Sequence, residues 1–535
     1  MTAQRPPPSG TIADESLTPE AGASPTPEAS DASFGTRVRR AIAWRYGGQI
    51  AAQLITWSST ILVVRLLDPS DYGLFAMSQV LVTALAFLNG HSFATSLIRT
   101  EHVGEREIGQ VFGLLLLLNL GLSGIMLWLG PYAAQYFGEP QVAEILRIQI
   151  ALFLVVPFIA LPDALLSREL QFRPQAYATM AGAITGASIA LALAWLGWGV
   201  WALVYAPIFA FAARALVVSL TISGWTWPRF DFRGAHAIIT FGGALTLCQF
   251  FWIIQSQSDI FIAGRAFETY ELGLYSEALF VALIITGRFL PPINEVAFPA
   301  FAELHHQKRS LAPYFARVQR TVALVVAPLY IGLALTAHEA VATLFGQKWI
   351  AMAPLLSNLA LIMPVFALQI ICSPATNAIG RPQVYLTTSI IGAILFAGCF
   401  MAGVHYGPAG LTYAWWVAAP LLLIATLALT LPAIALRLLD LFAAWLPAFA
   451  ATAIMAAVVS AAQVALPAWA PWWRLALLVA LGGASYLATL WLIWPQVVRD
   501  AWTMLRRKHD QPKHQPARAP ASAPAPADQT NTIPG

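Results

Sequence analysis

Apolar residues run in long blocks along most of this chain, and polar residues gather in the short gaps between them. A helix needs about 20 apolar residues to cross roughly 30 Å of hydrocarbon. By that measure spans fall near residues 41–66, 71–92, 108–130, 145–166, 175–196, 199–222, 237–263, 271–298, 314–337, 351–378, 383–404, 408–431, 441–466 and 474–495. Fourteen spans over about 457 core residues leave roughly 33 residues for each helix and its connection. The connections are therefore short and hide no folded domain outside the membrane. The pattern predicts an all-α polytopic membrane protein.

Composition agrees with the pattern. Only 10% of the 535 residues are charged and 58% are hydrophobic, against about 25% and 45–50% in soluble proteins. The missing charge is a missing water-facing surface. Two stretches depart from this, residues 1–36 and 499–535, where Pro6, Pro7, Pro8, Pro19, Pro25 and Pro27, and then Pro512, Pro516, Pro520, Pro524, Pro526 and Pro534, stand among few large apolar residues. Such segments bury too little surface to offset the entropy of ordering, so both are expected to be disordered tails. No cleaved leader is expected, because the first apolar run begins only near Ala41 and is too long for one. Cys248, Cys372 and Cys399 sit inside apolar runs with no paired spacing, so neither a disulfide framework nor a zinc site is expected.

Charge then sets the orientation through the excess of Lys and Arg in cytoplasmic loops. With the N-terminus inside, 23 of the 30 basic residues fall on the inner side. Four (Arg65, Arg265, Lys348 and Arg474) fall outside, and Arg147, Arg214 and Arg288 lie within spans. Both termini are thus expected in the cytoplasm, which an even number of spans permits.

An internal repeat is the most informative feature. Arg65-Leu66-Leu67-Asp68 through Tyr72-Gly73-Leu74-Phe75 returns 200 residues later as Arg265-Ala266-Phe267-Glu268 through Leu272-Gly273-Leu274-Tyr275. Tyr46-Gly47-Gly48 answers Phe241-Gly242-Gly243 at an offset of 195. Arg173-Pro174-Gln175-Ala176-Tyr177 returns at an offset of 208 as Arg381-Pro382-Gln383-Val384-Tyr385, and Gly199, Leu203 and Tyr205 match Gly407, Leu411 and Tyr413 at that same offset. Spans 1–6 therefore repeat as spans 7–12. An even number of spans separates the copies, so they share one orientation and are related by an axis along the membrane normal. The expected organisation is a tail over 1–36, an N-lobe over 37–222, a C-lobe over 223–435, two further spans over 436–498 and a basic tail over 499–535. Two six-helix lobes around a central cavity suit a transporter with alternating access. Pro157 and Pro162 in span 4, Pro291, Pro292 and Pro299 in span 8, and Pro354, Pro364 and Pro374 in span 10 mark breaks that lipid does not tolerate unless protein or a cavity satisfies the backbone. A packing kink is the other reading of each.

The repeated segments also resemble a known family. Arg65-Leu66-Leu67-Asp68-Pro69-Ser70-Asp71-Tyr72-Gly73-Leu74-Phe75-Ala76 is similar to the first-loop signature of the polysaccharide-transport flippases of the MOP superfamily, the Wzx type. The stretch from Asp259 through Gly264-Arg265 to Leu272-Gly273-Leu274-Tyr275, and Phe298-Pro299-Ala300-Phe301 before a basic loop, strengthen the likeness. It extends over roughly residues 40–435, with Asp68 where many relatives carry Gly. The resemblance implies movement of an undecaprenyl-diphosphate-linked oligosaccharide from the cytoplasmic to the periplasmic leaflet of a bacterial inner membrane. It implies no cofactor and no enzyme activity. As partners it implies the lipid-linked oligosaccharide, membrane lipids, a coupling ion or the membrane potential, and other polysaccharide-assembly proteins, but no nucleic acid.

Such a cargo asks for cations to meet phosphate and polar groups to meet sugar, and ionisable groups inside spans are costly enough to be sought out. Arg45, Gln49, Gln53, Thr56 and Thr60 fall on one face of span 1. Gln249, Trp252, Ser256 and Asp259 do the same on span 7, while Glu277 and Arg288 share a face of span 8. The expected roles are substrate binding for Arg45, Gln49, Gln53, Gln249 and Arg288, with Arg45 and Arg288 on the diphosphate, and coupling for Asp259 and Glu277. The guanidinium suits phosphate because its planar fork bonds two oxygens and stays charged. Other readings stay open: Arg45 reaching the inner headgroups, Asp259 pairing with Arg265, Arg65 and Arg265 bracing the loops through Asp68, Asp71, Glu268 or Glu271, and Arg147 and Arg214 snorkelling or balancing charge. Gly182-x-x-x-Gly186 reads as close helix packing. His305-His306 has no ligand set around it, and there is no Walker loop, dinucleotide fingerprint or zinc spacing. Three rival functions remain, a multidrug cation antiporter of the same superfamily, a membrane glycan polymerase or ligase, and a non-transport role such as a scaffold for an exopolysaccharide synthase. The short outer loops and the repeat weigh against the second.

Overall fold

The computed structural model describes residues 27–89, 104–169, 171–221, 227–231, 236–467, 469–496 and 499, without the side chains of 27–43, 45, 46 and 236–250. The described regular structure is entirely helical: α1 (Pro27–Leu66), α2 (Pro69–Ala86), α3 (Glu105–Phe137), α4 (Gln141–Val155), α5 (Pro157–Arg168), α6 (Phe172–Trp195), α7 (Val200–Leu220), α8 (His236–Ala266) and α9 (Thr269–His306). Then come α10 (Ala312–Leu335), the short α11 (Ala337–Leu344), a 3₁₀ turn (Gln347–Met352), α12 (Ala353–Ile370), α13 (Cys372–Ala378), α14 (Pro382–Gly403), α15 (Gly407–Ile434), α16 (Leu438–Ala465) and α17 (Pro471–Ile493).

Length and composition mark ten candidate spans among the described residues, of which Pro382–Ile434 comprises both α14 and α15. With α1, α2 and α8 the total is fourteen, as expected from the apolar pattern. Two expectations shift. Helix α1 opens at Pro27, well before the apolar run, and the remainder of the two expected tails lies almost wholly outside the described residues. The prolines also act unequally. Span 4 is divided at Val156 into α4 and α5, and its repeat counterpart is divided at Ile371 into α12 and α13, whereas α9 continues as one helix through Pro291, Pro292 and Pro299.

Local chemistry sets the helix starts. Asp68 caps α2 with extended backbone (φ −96°, ψ 155°), its N–H donates to Asp71 Oδ2 at 3.1 Å, and Pro69 fills the first helical position, where no N–H is needed. At α3 the Gly104 N–H donates likewise to Glu107 Oε2, at 2.9 Å.

The chain divides into two compact units. The first takes residues 1–278, 344–355 and 389–418. Within it α6 packs closely on α7 and α1. A Cβ on Gly182 would lie 2.8 Å from the Ala210 carbonyl and one on Gly186 2.9 Å from Ala210 Cβ, so this glycine pair does serve close helix packing. Arg214 of α7, expected to snorkel or balance charge, does the latter: it meets Asp163 of α5 at 2.6 Å, with the two side chains 35% and 15% exposed. The second unit takes residues 279–343, 356–388 and 419–535. Its core joins α10 to the α16–α17 hairpin through Met455, Val459, Leu478 and Leu490, and Tyr486 Oη donates to the Leu324 carbonyl at 2.7 Å. Arg474 Nε meets Glu339 at 3.4 Å. The two C-terminal helices thus have their own anchorage.

The Arg214–Asp163 pair is open to test. Arg214→Met leaves a half-buried carboxylate without its cation and should cost about 1–3 kcal/mol. The double change Arg214→Met with Asp163→Leu should recover most of it. Thermal unfolding of the purified variants reads both, and equal loss in the single and double variants would contradict the pairing.

Candidate functional site

Two repeat-equivalent turns meet in the first unit. A Cβ on Gly73 would run into the Thr269 carbonyl, and a Cβ on Gly273 would run into the Pro69 carbonyl. Position 69 answers 269 and 73 answers 273, so the contact is reciprocal. Hydrogen in place of a side chain is what lets each helix start lie against the other's backbone.

A hairpin from the second half of the sequence seats on this crossing. Trp349 is fully buried, donates from Nε1 to the Val64 carbonyl at 2.9 Å and meets the Tyr72 ring edge-on at 5.1 Å. Arg65 Nε donates to the Leu344 carbonyl at 2.9 Å, and Lys348 pairs with Asp68 at 2.9 Å. Both partners of that pair are more than half exposed, so Trp349, and not the ion pair, carries most of the stabilisation. A recess of about 470 Å³ opens beside it, lined by Asp68, Pro69, Ser70, Asp71, Tyr270 and Lys348. Arg65 does brace the loops, donating to the Leu344 carbonyl. Arg265 instead lies over the Tyr136 ring at 5.1 Å.

Deeper in the same unit Asp259 is 1% exposed. Its Oδ1 accepts from the Ile260 N–H at 2.8 Å and its Oδ2 from Tyr275 Oη at 3.1 Å. Trp415 Nε1 donates to Tyr275 Oη at 3.1 Å, and Phe396 and Phe400 enclose the indole with centroids 4.9 and 5.9 Å away. The open alternative of an Asp259–Arg265 pair is thereby excluded. Glu277, two residues beyond Tyr275 on α9, is 6% exposed and has no ion pair among the described residues. A carboxyl buried in a span without a countercharge is expensive.

The other expected residues are more dispersed. On α1 Gln49 is exposed and Gln53 half-buried, while the Thr56 and Thr60 hydroxyls return to the carbonyls one turn back, Ala52 and Thr56, each at 2.9 Å. Arg288 is exposed on α9 in the second unit. The side chains of Arg45 and Gln249 lie outside the described residues. The structure therefore brings Asp259 together with Tyr275, and Glu277 stands on the same helix. Tyr275, Trp415 and Trp349 were not anticipated. A residue-by-residue comparison of the copies contains the signal for the first, because Tyr275 and Glu277 replace Phe75 and Met77 at the offset of 200.

Residues 62–354 match the family described as "Polysaccharide biosynthesis protein". The chain belongs to this family. It is similar to the succinoglycan biosynthesis transport protein ExoT of Rhizobium meliloti (strain 1021), 26% identical over 372 residues that cover 68% of this chain and 74% of that protein. It is also similar to the lipopolysaccharide biosynthesis protein WzxC of Escherichia coli (strain K12), 21% identical over 56% of this chain and 62% of that one. The match to WzxC thus spans less than two thirds of its length. In fold the chain resembles the lipid II flippase MurJ in an inward closed conformation, with a TM-score of 0.71, 12% identity and coverage of 85% of this chain and all of that one. An inward-facing multidrug resistance MATE family transporter of the MOP superfamily follows with a TM-score of 0.57, 17% identity and coverage of 72% and 94%. The expected polysaccharide-transport family and the all-α polytopic fold are both borne out.

Two measurements probe this geometry. Tyr275→Phe strips Trp415 Nε1 of its acceptor and Asp259 of a donor, and should lower stability by about 1–3 kcal/mol in thermal unfolding. Phe at 275 only copies the first repeat, so an unchanged unfolding midpoint would show the hydroxyl to be idle. Gly73→Ala should raise amide hydrogen exchange across residues 344–352 by about tenfold, through loss of the helix crossing beneath Trp349. Unaltered exchange there would mean that the crossing does not hold the hairpin.

Proposed function

We propose that this protein carries a lipid-diphosphate-linked oligosaccharide from the cytoplasmic to the outer leaflet of the bacterial cytoplasmic membrane by alternating access. The observation that carries the reading is the reciprocal Gly73–Gly273 crossing, a closure built from repeat-equivalent residues at the ends of α2 and α9 that the charge distribution assigns to the outside. A closure between two copies of one motif can open by rocking one lobe against the other without unfolding either. The family and the names of its relatives supply the cargo class. Connections on that side are short, two residues between α1 and α2 and three between α3 and α4, with no room for a folded catalytic domain. Transport of a finished glycan, and not its synthesis, suits this form.

Within that cycle Arg45 and Arg288 hold the diphosphate from the cytoplasmic side, Gln49, Gln53 and Gln249 meet the sugar, and Asp259 and Glu277 couple an ion to the return of the empty carrier. The two lobes enclose the cavity, both termini lie in the cytoplasm, and polysaccharide-assembly proteins receive the flipped product.

Flipping of a fluorescent lipid-linked glycan in vesicles tests the scheme. Arg288→Ala and Arg288→Lys should each slow it by tenfold or more at normal protein levels, because an ammonium does not replace a bidentate fork. Asp259→Asn and Glu277→Gln should remove its dependence on an imposed ion gradient while leaving exchange of bound substrate. Normal rates in all four variants would overturn the assignment, and cation efflux without glycan movement would make the protein an antiporter.

A further inference from the structure

Arg173 occupies an unusual setting at the end of α6 that the charge distribution assigns to the cytoplasm. Its guanidinium carbon sits 5.5 Å from the ring centroids of both Trp44 and Tyr177, and the two rings meet edge-on with centroids 5.4 Å apart and planes inclined by 63°. Nε donates to Tyr177 Oη at 3.2 Å. A guanidinium has five N–H donors, so the four on the terminal nitrogens remain, and they form the planar fork that bonds two phosphate oxygens at once. No carboxylate takes that fork among the described residues. The nearby acids are engaged elsewhere, Asp163 by Arg214 at 2.6 Å and Glu169 by Gln171 at 2.7 Å. The residue is exposed. Its orientation is set by helix packing, since a Cβ on Gly48 would come within 2.6 Å of Ala176 Cβ, and this close approach of α1 to α6 carries Trp44, one turn away, onto Arg173.

The repeat separates what the fold needs from what this site adds. Arg173 and Tyr177 recur as Arg381 and Tyr385. Trp44, however, answers Ile239 at the offset that aligns Tyr46 with Phe241, so the second copy lacks the indole. An indole present in one copy alone is not a requirement of the helix–loop geometry that the copies share.

We propose that Arg173, held against Trp44 and Tyr177, is a docking site for lipid phosphate groups at the cytoplasmic surface, where the diphosphate of the lipid-linked cargo first meets the protein. The inference rests on the flippase reading for the identity of the cargo and on this geometry alone for the phosphate chemistry. Contact with two rings restricts the arginine's rotamers before any ligand arrives, so less entropy is lost on binding. The same chemistry is offered by anionic phospholipid headgroups, and the experiment separates the two sources.

Full-length protein in detergent is titrated with farnesyl diphosphate, with and without phosphatidylglycerol as competitor, and variants are compared at matched unfolding midpoints. Arg173→Ala should weaken farnesyl diphosphate binding about tenfold or more, Arg173→Lys nearly as much, and Trp44→Ile several-fold with the arginine still present. If phosphatidylglycerol competes equally and its binding also depends on Arg173, the site stands as a general lipid-phosphate dock. Unchanged affinity in folded Arg173→Ala and Trp44→Ile overturns it. Vesicle flipping in the same variants keeps the two readings apart. Arg173-dependent binding without any glycan movement in the wild type would leave this site in place and remove the flippase reading, whereas flipping with Arg173-independent binding would do the reverse.

Discussion

Two backbone carbonyls, those of Pro69 and Thr269, determine how the repeated halves of this chain meet. Each lies against a glycine of the opposite copy, Gly273 and Gly73, at a distance that no other residue can occupy. The rest of that end of the first unit follows from this approach. Because the helix starts touch, Tyr72 is brought under Trp349, and because Trp349 is buried there, its hairpin carries Lys348 to Asp68 and Leu344 to Arg65. Most of the energy is in the burial of a large aromatic side chain, worth a few kcal/mol. The exposed Asp68–Lys348 pair adds little to it.

Such a crossing differs from a packed core in one respect. A core that interdigitates over many layers opens only by unfolding, whereas two smooth helix starts, one seated tryptophan and one solvated ion pair form a short list of contacts. The exposed ion pair is suited to reforming quickly, since its partners are already hydrated when apart. A Trp seated through one indole N–H likewise exchanges its carbonyl acceptor for water without leaving a buried donor stranded.

The repeat was legible in the primary structure, and so were the fourteen spans, because hydrophobic length and colinear motif matches are local signals that need no knowledge of contacts. Asp259 and Glu277 were also legible, since acids within apolar runs are few. What surrounds them was not. Tyr275 and Trp415 are 140 residues apart, and neither is unusual in a membrane protein rich in aromatics. The reading of Asp259 as a partner of Arg265 failed for a related reason. Six residues separate the two along α8, and an arginine at a helix end beside aromatic rings gains as much from the face of Tyr136 as from a carboxylate it would have to desolvate. Breaks at proline were legible as sites but not as outcomes. Pro157 interrupts its helix, while Pro291 and Pro292 are absorbed within α9, because the ring removes one donor and the rest depends on what packs alongside.

Duplication gives the two copies the same scaffold and leaves the differences between them to carry the chemistry. Where the first copy has Phe75 and Met77 the second has Tyr275 and Glu277, and where the first has Trp44 the second has Ile239. The polar substitutions lie within the membrane span and are buried, one of them through Tyr275 in a hydrogen-bonded chain with Asp259 and Trp415. The aromatic one lies within α1, where it meets the guanidinium of Arg173 at the start of α6. In the proposed cycle these two kinds of place fall on different parts of the path: a water-exposed guanidinium that meets a phosphate before it leaves the interface, and a dry acidic position whose charge changes as the lobes rock. Had the copies stayed identical, each half would hold a compromise between them. Divergence at a few positions, on a crossing that stays symmetric because its glycines admit no substitute, lets one architecture keep both.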